Sequence, residues 1–263
     1  MRRTLLFLIL FGLIVSTCRA ESLKMATTTS VENSGLLDVL LSAFEQKFGI
    51  KIHPIAVGTG KALKLAENGD VDLVMVHCPQ SEIKFLNKGF GIERETVFYN
   101  DFVIVGPAED PARVGNLKNP SEAFKAIAQK RSIFVSRGDA SGTYQKEMEI
   151  WSRANLSTQG SWYIQSGQGM AATLLIADEK NGYCLVDRGT LISYEDKIRL
   201  VILHEADPFL INPYSVIIVN PALHPHIKYS EAKLFLRWIG SKEGKAIISG
   251  FRKRQKTLFH SFD

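Results

Sequence analysis

Short apolar segments alternate with amphipathic segments along this chain, and this alternation constrains the fold more than any other feature. Strand-like runs at 23–26, 51–57 and 71–76 alternate with helical patterns at 36–48 and 61–68. Successive strand–helix units place their strands parallel, because each helix returns the chain to the same edge of the sheet. The pattern predicts an α/β fold in which helices cover a largely parallel sheet.

A second α/β series lies between two long extended stretches, at 96–105 and 214–220. Two series separated by long crossing strands predict two lobes joined by a hinge. We expect residues 21–105 to form the first part of lobe 1, 106–205 to form lobe 2, and 206–263 to return to lobe 1. Ligands of such folds bind beyond the carboxyl ends of the strands, which here means the cleft between the lobes.

The N-terminus has the layout of a secretory signal peptide. Arg2 and Arg3 precede an apolar run at 5–15, which is shorter than the roughly 20 residues that a membrane-spanning helix needs. Cleavage after Ala20 would remove residues 1–20 and leave an exported, periplasmic protein. Cys18 offers an alternative, because cleavage before this cysteine would allow a lipid to be attached to it.

The charge of the chain gives no support for nucleic-acid binding. Three of the 32 Lys and Arg residues lie in the first 20 positions, so the formal charge of +5 falls to +2 without them. The one dense basic cluster, at 252–256, is interpreted as a solvated helix end, where cations are favourable. We therefore expect no nucleic-acid partner.

Cys78 and Cys184 are the only cysteines that follow the predicted signal peptide. Export makes a disulfide chemically possible. Both residues lie in apolar, strand-like runs, where free cysteine behaves as a small hydrophobic residue. The sequence therefore favours two buried free thiols.

Three predicted strand ends are rich in Ser, Thr and Gly, and a predicted helix follows each of them. Hydroxyl groups and backbone N–H groups at helix N-termini can bind an anion without a full positive charge. Glycine in such a loop lets the backbone approach the ligand closely. The candidate ligand-binding residues in these loops are Thr28, Thr29, Ser30, Gly58, Thr59, Arg137, Ser141, Gly142 and Thr143.

A fourth candidate loop, at 166–170, also lies between a predicted strand and a predicted helix. Gly169 could present backbone N–H groups to a ligand there. Thr173 either lies near the same loop or is an ordinary helix residue.

Arg137 is the one guanidinium inside these loops, and its planar fork suits two oxygens of one anion. The alternative is a structural ion pair with Asp139. A free Asp139 carboxylate would favour hydrogen phosphate, which has a proton to donate, whereas fully deprotonated oxyanions need donors only. We expect Asp139 to be turned away as a helix cap, and a phosphate-binding transport protein is the alternative.

The sequence contains no assembled catalytic constellation. The histidines are scattered, none lies in the Ser/Thr loops, and no pair has the spacing of a metal-binding helix. Ser141 lacks the Gly-x-Ser-x-Gly pattern of a nucleophile elbow. We predict a binding protein without cofactor or metal, and an enzyme on the same two-lobed scaffold remains the rival from another class.

Several motifs along the chain closely resemble the tungstate-binding component of tungstate ABC transporters, in the same order and over nearly the whole mature chain. Cys78 is a departure, because that family resemblance leads us to expect a small residue there. The motifs are Thr27-Thr28-Thr29-Ser30, Asn33-Ser34-Gly35-Leu36-Leu37, Val57-Gly58-Thr59-Gly60, Gly167-Gln168-Gly169-Met170, Asp187-Arg188-Gly189-Thr190 and the segments 72–77, 99–107 and 136–143.

The resemblance implies a type II periplasmic-binding-protein fold whose lobes close on the anion. It implies capture of tungstate, and also of molybdate, for a membrane permease with a cytoplasmic ATPase. By the same likeness, the 28–30 loop, Thr59, Arg137 and the 141–143 segment would hold the oxygens. We expect the protein to be a monomer.

Overall fold

The structure is a computed structural model and describes residues 22–262. The predicted signal peptide therefore lies outside the described residues. The strands are β1 Ser22–Thr28, β2 Lys51–Val57, β3 Leu73–Val76, β4 Gly91–Gly106, β5 Phe134–Ser136, β6 Tyr163–Gln165, β7 Cys184–Asp187, β8 Val201–His204, β9 Ile211–Val219, β10 Arg252–Lys253, β11 Lys256–Thr257 and β12 His260–Ser261. The helices are α1 Thr29–Ser34, α2 Leu36–Phe48, α3 Thr59–Glu67, α4 Pro79–Asn87, α5 Pro120–Lys130, α6 Gly142–Arg153, α7 Met170–Glu179, α8 Arg188–Tyr194, α9 Tyr229–Ile239 and α10 Lys242–Gly250.

The first three strands confirm the predicted parallel arrangement. Strand β1 pairs in parallel with both β2 and β3, and its last residue, Thr28, is in register with Val57, the last residue of β2. The carboxyl ends of these strands therefore meet at one edge of the sheet. We call the part of the molecule built around β1, β2 and β3 the first lobe.

The two long extended stretches are neighbouring antiparallel strands. Strand β9 pairs with β4 over most of its length and with β3 on its other side. The last part of β4 continues past β9 and pairs with β7 and β8 instead. We call the part built around β5, β6 and β7 the second lobe, so β4 runs through the sheets of both lobes, and the predicted two-lobed α/β fold is confirmed.

Helix α2 shows how the sequence determines the buried face and the ends of a helix in the first lobe. Its apolar side chains recur at helical spacing, and Leu36, Leu40 and Phe44 are buried against the sheet. Gly35 and Gly49 bound the helix with φ of 87° and 69°, a left-handed conformation that glycine adopts without steric cost. Burying one such Phe or Leu side chain contributes roughly 1.5–3 kcal/mol.

The second lobe has its own aromatic core. The ring of Trp151 on α6 lies 4.3 Å from that of Phe124 on α5 and 5.2 Å from that of Phe134 on β5. These three side chains are fully buried. They fix the position of α6, whose first residues belong to one of the predicted binding loops.

The sequence analysis was wrong about the basic segment near the C-terminus. Residues 252–257 form a small hairpin of β10 and β11, not a helix end. Its turn holds Arg254 and Gln255 with φ of 49° and 64°. Arg254 forms an ion pair with Asp196, and Lys256 forms one with Glu195 at 2.6 Å.

Cys78 and Cys184 are buried free thiols. Cys78 is the N-cap residue of α4 and is 5% exposed, while Cys184 begins β7 and is fully buried. Within residues 22–262, no helix is both long enough and apolar enough to cross a membrane.

Candidate functional site

The four predicted binding loops are the starting points of four helices. Thr28, Gly58, Ser141 and Gly169 are the N-cap residues of α1, α3, α6 and α7. Only Ser141 uses its own side chain as a cap, accepting from the Tyr144 N–H at 3.1 Å. The other three helices begin without a side-chain cap, so their first N–H groups are available to another acceptor.

The first two loops lie side by side, because β1 and β2 end in register. Thr28 is buried, Thr29 and Ser30 are partly exposed, and the hydroxyl oxygens of Thr28 and Ser30 lie 3.1 Å apart. Thr59, the first residue of α3, is 1% exposed, and its hydroxyl has no hydrogen-bond partner among the described residues. A buried hydroxyl of this kind is costly unless a ligand satisfies it.

The third loop reaches the second across the interface between the lobes. A Cβ on Gly60 would lie 3.2 Å from the Cβ and the carbonyl oxygen of Ala140, so the two loops are in close contact. Ser141, Gly142 and Thr143 are all buried. The structure therefore brings the 58–60 and 137–143 segments together.

Arg137 is buried at the centre of the third loop. Its side chain is 10% exposed, and Nη2 donates to Asp139 Oδ2 at 2.5 Å. Its Nε, by contrast, has no partner among the described residues. The guanidinium thus forms the ion pair with Asp139 and also keeps an unused donor. The structure is therefore compatible with both predicted roles of Arg137, the structural ion pair and the binding of an anion.

The Asp139 carboxylate is turned into its own loop. It accepts from Arg137 through one oxygen and from the Ser141 N–H at 3.1 Å through the other. The prediction that Asp139 caps the following helix is wrong, because Ser141 occupies the N-cap position of α6. Each Asp139 oxygen therefore already accepts one hydrogen bond from within its own loop.

The fourth loop lies beside the third but is more open. Its backbone joins the third loop where the Gly167 N–H donates to the Arg137 carbonyl oxygen at 2.9 Å. Gly169 is exposed, and a Cβ placed on it would meet no atom within 4 Å. Thr173 bonds to the Ser166 hydroxyl at 2.7 Å and to the Gly169 carbonyl oxygen, so it stabilises the loop from within its own helix.

Sequence reasoning missed a buried polar network behind the first loop. Its members, His77, Asn100, Asn212 and Tyr214, are each at most 7% exposed. The Tyr214 hydroxyl lies 3.4 Å from that of Ser30, and so links the network to the candidate site. Polar residues in or directly after otherwise apolar strands were the available signal, but only the pairing of β9 with both β4 and β3 brings them together.

Asp187 is a buried acid to which the sequence analysis assigned no role beyond its place in a family motif. It caps α8, accepting from the Thr190 N–H and hydroxyl at 2.8 and 2.7 Å. Burial raises its pKa, while the Thr190 hydrogen bonds and the positive charge of Arg137 act in the opposite direction. The positive charge of Arg137 therefore acts on two acidic side chains, those of Asp139 and Asp187.

Among residues 22–262, no group of three or more His, Cys, Asp or Glu side chains is arranged to hold a metal ion. The four loops instead provide hydroxyl and N–H donors with one guanidinium, and their one carboxylate, Asp139, accepts hydrogen bonds from within its own loop. This donor set is suited to an oxyanion whose oxygens carry no protons.

The PBP superfamily domain, the domain of periplasmic binding proteins, matches residues 15–243. The chain belongs to this superfamily. As a PBP-superfamily protein it has the type II periplasmic-binding-protein fold. The four loops described above lie at strand ends of the kind where such folds bind their ligands.

Two curated relatives and one crystal structure show which members of the superfamily this chain resembles. It is 43% identical to the tungstate-binding protein TupA of Campylobacter jejuni subsp. jejuni over 235 residues, covering 88% of this chain and 87% of the relative. It is 39% identical to TupA of Peptoclostridium acidaminophilum over 247 residues, covering 93% and 86%. The crystal structure of the tungstate ABC transporter from Geobacter sulfurreducens superposes with a TM-score of 0.82 at 48% identity, covering 88% of this chain and 99% of that one.

Proposed function

We propose that this protein captures tungstate between its two lobes and delivers it to an ABC-transporter permease in the membrane. The tungstate-binding relatives, which align over most of the chain, support this function. The structural observation that carries it is the set of buried, unused donors in the loops, above all Arg137 Nε and the Thr59 hydroxyl. Both would gain a partner from an oxyanion bound among these loops.

The proposed ligand shell consists of the ten residues predicted from the sequence. Backbone N–H groups at the starts of α3, α6 and α7 and the hydroxyls of the Ser/Thr loops supply neutral donors. Arg137 supplies the one positive charge. A dianion held this way is stabilised by aligned dipoles and one cation, without any metal or cofactor.

Molybdate is proposed as a second ligand, because it has the same charge and shape as tungstate and accepts hydrogen bonds from the same donors. Phosphate is disfavoured at neutral pH, because hydrogen phosphate needs an acceptor for its proton. The one carboxylate in these loops, Asp139, accepts from Arg137 and from the Ser141 N–H within its own loop. Its engagement in these hydrogen bonds supports a binding role over a catalytic one.

The proposal places the protein outside the cytoplasm, exported by the signal peptide that the sequence predicts at residues 1–20. It works there as a monomer whose lobes close on the anion and open when the permease accepts it. The ligand favours the closed arrangement by touching both lobes at once.

The test is calorimetric titration of the mature protein with tungstate, molybdate, sulfate and phosphate at neutral pH. We expect tight binding of tungstate and little heat from phosphate. Binding of phosphate alone would contradict the proposed ligand.

A further inference from the structure

The Arg137 guanidinium belongs to the second lobe, but its charge acts on the first. Burial lowers the pKa of the first-lobe residue His77 to about 4, and the positive charge of Arg137 acts in the same direction, against the hydrogen bond with Asn212. The Arg137 Nε is buried and has no partner among the described residues. The guanidinium therefore lies near the interface between the lobes, with a donor left for an anion bound there.

The backbone around Arg137 is held by the neighbouring fourth loop. The Ser166 N–H donates to the Ser136 carbonyl oxygen at 2.9 Å. The Gly167 N–H donates to the Arg137 carbonyl oxygen at the same distance. Neither bond involves Asp139, so the path of the chain at Arg137 does not depend on this acid.

The end of the Arg137 side chain is held by Asp139. An arginine side chain has many rotamers, and the Asp139 carboxylate restricts them by accepting from Nη2 at 2.5 Å. The other Asp139 oxygen accepts from the Ser141 N–H at 3.1 Å, which anchors the carboxylate itself. Asp187, the other acid on which the charge of Arg137 acts, forms its hydrogen bonds with Thr190 instead.

The charge of Asp139 by itself disfavours a dianion in these loops. Like charges repel, and they repel more strongly in a buried site than in water. The hydrogen bond to Arg137 has the opposite effect, because a guanidinium that is already ordered loses less side-chain freedom when the ligand binds. The two effects of Asp139 on affinity therefore differ in sign.

Resting on the proposed function, we propose that Asp139 is a positioning residue: it holds the Arg137 guanidinium so that Nε is presented to the anion, and this effect outweighs the repulsion between its own charge and the dianion. Asp139 thus raises the affinity for tungstate without touching the ligand. Neutralising a negative charge in the site should then weaken the binding of a dianion, which charge alone would not predict.

Asp139→Asn tests the sign. The variant keeps the shape of the side chain and one oxygen for the Ser141 N–H, but its amide nitrogen cannot accept from Arg137. We expect tungstate affinity, measured by calorimetry, to fall roughly three- to tenfold, because the arginine must then be ordered on binding. An unchanged or higher affinity would overturn the proposal.

Asp178→Asn is the matched control. Asp178 also accepts from an arginine, Arg199, and from a backbone N–H, but it lies on α7 outside the binding loops. Its variant should bind tungstate as the wild type does. An equal loss of affinity in both variants would show that Asp139→Asn acts through general damage to the fold, and would overturn the proposal.

A double-mutant cycle identifies the residue through which Asp139 acts. In an Arg137→Ala background, Asp139→Asn should no longer weaken binding, because the side chain that it holds is absent. Only the relief of repulsion remains there, so the affinity should stay the same or rise. A further loss would mean that Asp139 acts through Ser141 or the loop backbone, and would reject the positioning role.

NMR of the Arg137 side chain tests the positioning without any ligand. In the wild type, the Nε–H should have an order parameter near the roughly 0.85 of rigid backbone, and in Asp139→Asn it should fall below about 0.6. A mobile Nε–H in the ligand-free wild type would contradict the proposal, as would one that stays ordered in the variant. Titration of the wild type with tungstate tests the proposed function separately, so a failed positioning role and a failed function give different results.

Discussion

At the scale of single residues, the site is built from donors that the folded protein leaves unused. Thr59 and Arg137 are both at most 9% exposed, yet each retains a donor without a partner among the described residues. Leaving such groups unpaired costs roughly 1–3 kcal/mol each. In the proposed function an oxyanion gives both donors a partner, so we expect the atoms that contribute to affinity to be the same atoms that limit stability.

Replacing Thr59 by Val tests this relation between ligand affinity and stability directly. The shape is retained and the unpartnered hydroxyl is lost, so we expect the unfolding temperature without ligand to stay the same or rise. Tungstate affinity, measured by calorimetry, should fall roughly tenfold. Thr190→Val is the matched control, because its hydroxyl is satisfied by Asp187, and this variant should lose stability instead.

Replacing Arg137 by Ala should weaken tungstate binding by about 1.5–3 kcal/mol, the usual worth of a charged hydrogen bond. Arg199→Ala serves as the control, since that arginine also pairs with an aspartate but its side chain is 78% exposed. Equal affinities for the two variants would assign Arg137 to the ion pair with Asp139 alone.

At the scale of elements, the sequence predicts a helix or strand well where the local pattern determines it. Helix α2 matches its predicted bounds, because Gly35 and Gly49 mark both ends. Helix α1 was missed, because Ser and Thr compete with the backbone for hydrogen bonds and read as a loop. Helix α4 was missed although Pro79 at its first position is a usual start signal.

One part of the candidate site could likewise be predicted from the sequence, and another part could not. Its loops are visible in the sequence as Ser/Thr/Gly clusters, each between a strand and a helix. The polar network behind the first loop is not visible in the sequence, because it depends on the register of β9 against β4, where Asn212 lies opposite Asn100. No local pattern encodes a pairing between residues more than 100 positions apart.

Ser141, at the start of α6, caps the helix and is also a predicted ligand-binding residue. A substitution there can separate the two roles. The Ser141 hydroxyl oxygen caps the helix, which leaves its hydrogen for an anion. Ser141→Ala should lower the unfolding free energy by about 1 kcal/mol and also weaken tungstate binding. Ser241→Ala removes the corresponding cap of α10, and in chemical denaturation it should lose stability while calorimetry finds unchanged affinity.

At the scale of the whole molecule, the pH dependence of stability contains a contribution from one buried acid. Burial raises the pKa of Glu147 from 4.5 to about 7, with a further increase from the charge of Asp139 and opposing hydrogen bonds from Tyr163, Ser136 and Trp151. Between these two pKa values, the folded protein keeps a proton that the unfolded chain releases. Stability from this group is therefore full below pH 4.5 and is lost as the pH rises through 7.

Glu147→Gln should remove that contribution while retaining an oxygen for Trp151 and Tyr163. The unfolding free energy of the variant minus that of the wild type should increase by about 3 kcal/mol from pH 4.5 to pH 8, measured by urea denaturation. Glu179→Gln, at a glutamate whose side chain is 77% exposed, is the control for the chemical change itself. A difference for Glu147→Gln that does not vary with pH would mean that its carboxylate ionises normally in the folded protein.

The contact between the lobes depends on the absence of a side chain at Gly142. A Cβ there would lie 2.8 Å from His77 Cε1 and 3.0 Å from the His77 carbonyl oxygen, and neither the buried ring nor the backbone can move away freely. Gly142→Ala should therefore hold the lobes apart at a cost of about 1–3 kcal/mol, which appears as weaker tungstate binding. Gly250→Ala meets no atom within 4 Å and should bind normally.

X-ray scattering with and without tungstate distinguishes closure from direct ligand contact in the Gly142→Ala variant. If the methyl group blocks closure, the radius of gyration of the variant at saturating tungstate should exceed that of the wild type, because the lobes cannot meet fully. If the variant closes normally and still binds weakly, then Gly142 acts by touching the anion. Closure would then depend on the other contacts between the lobes, such as that of Gln80 with Glu149 at 2.7 Å.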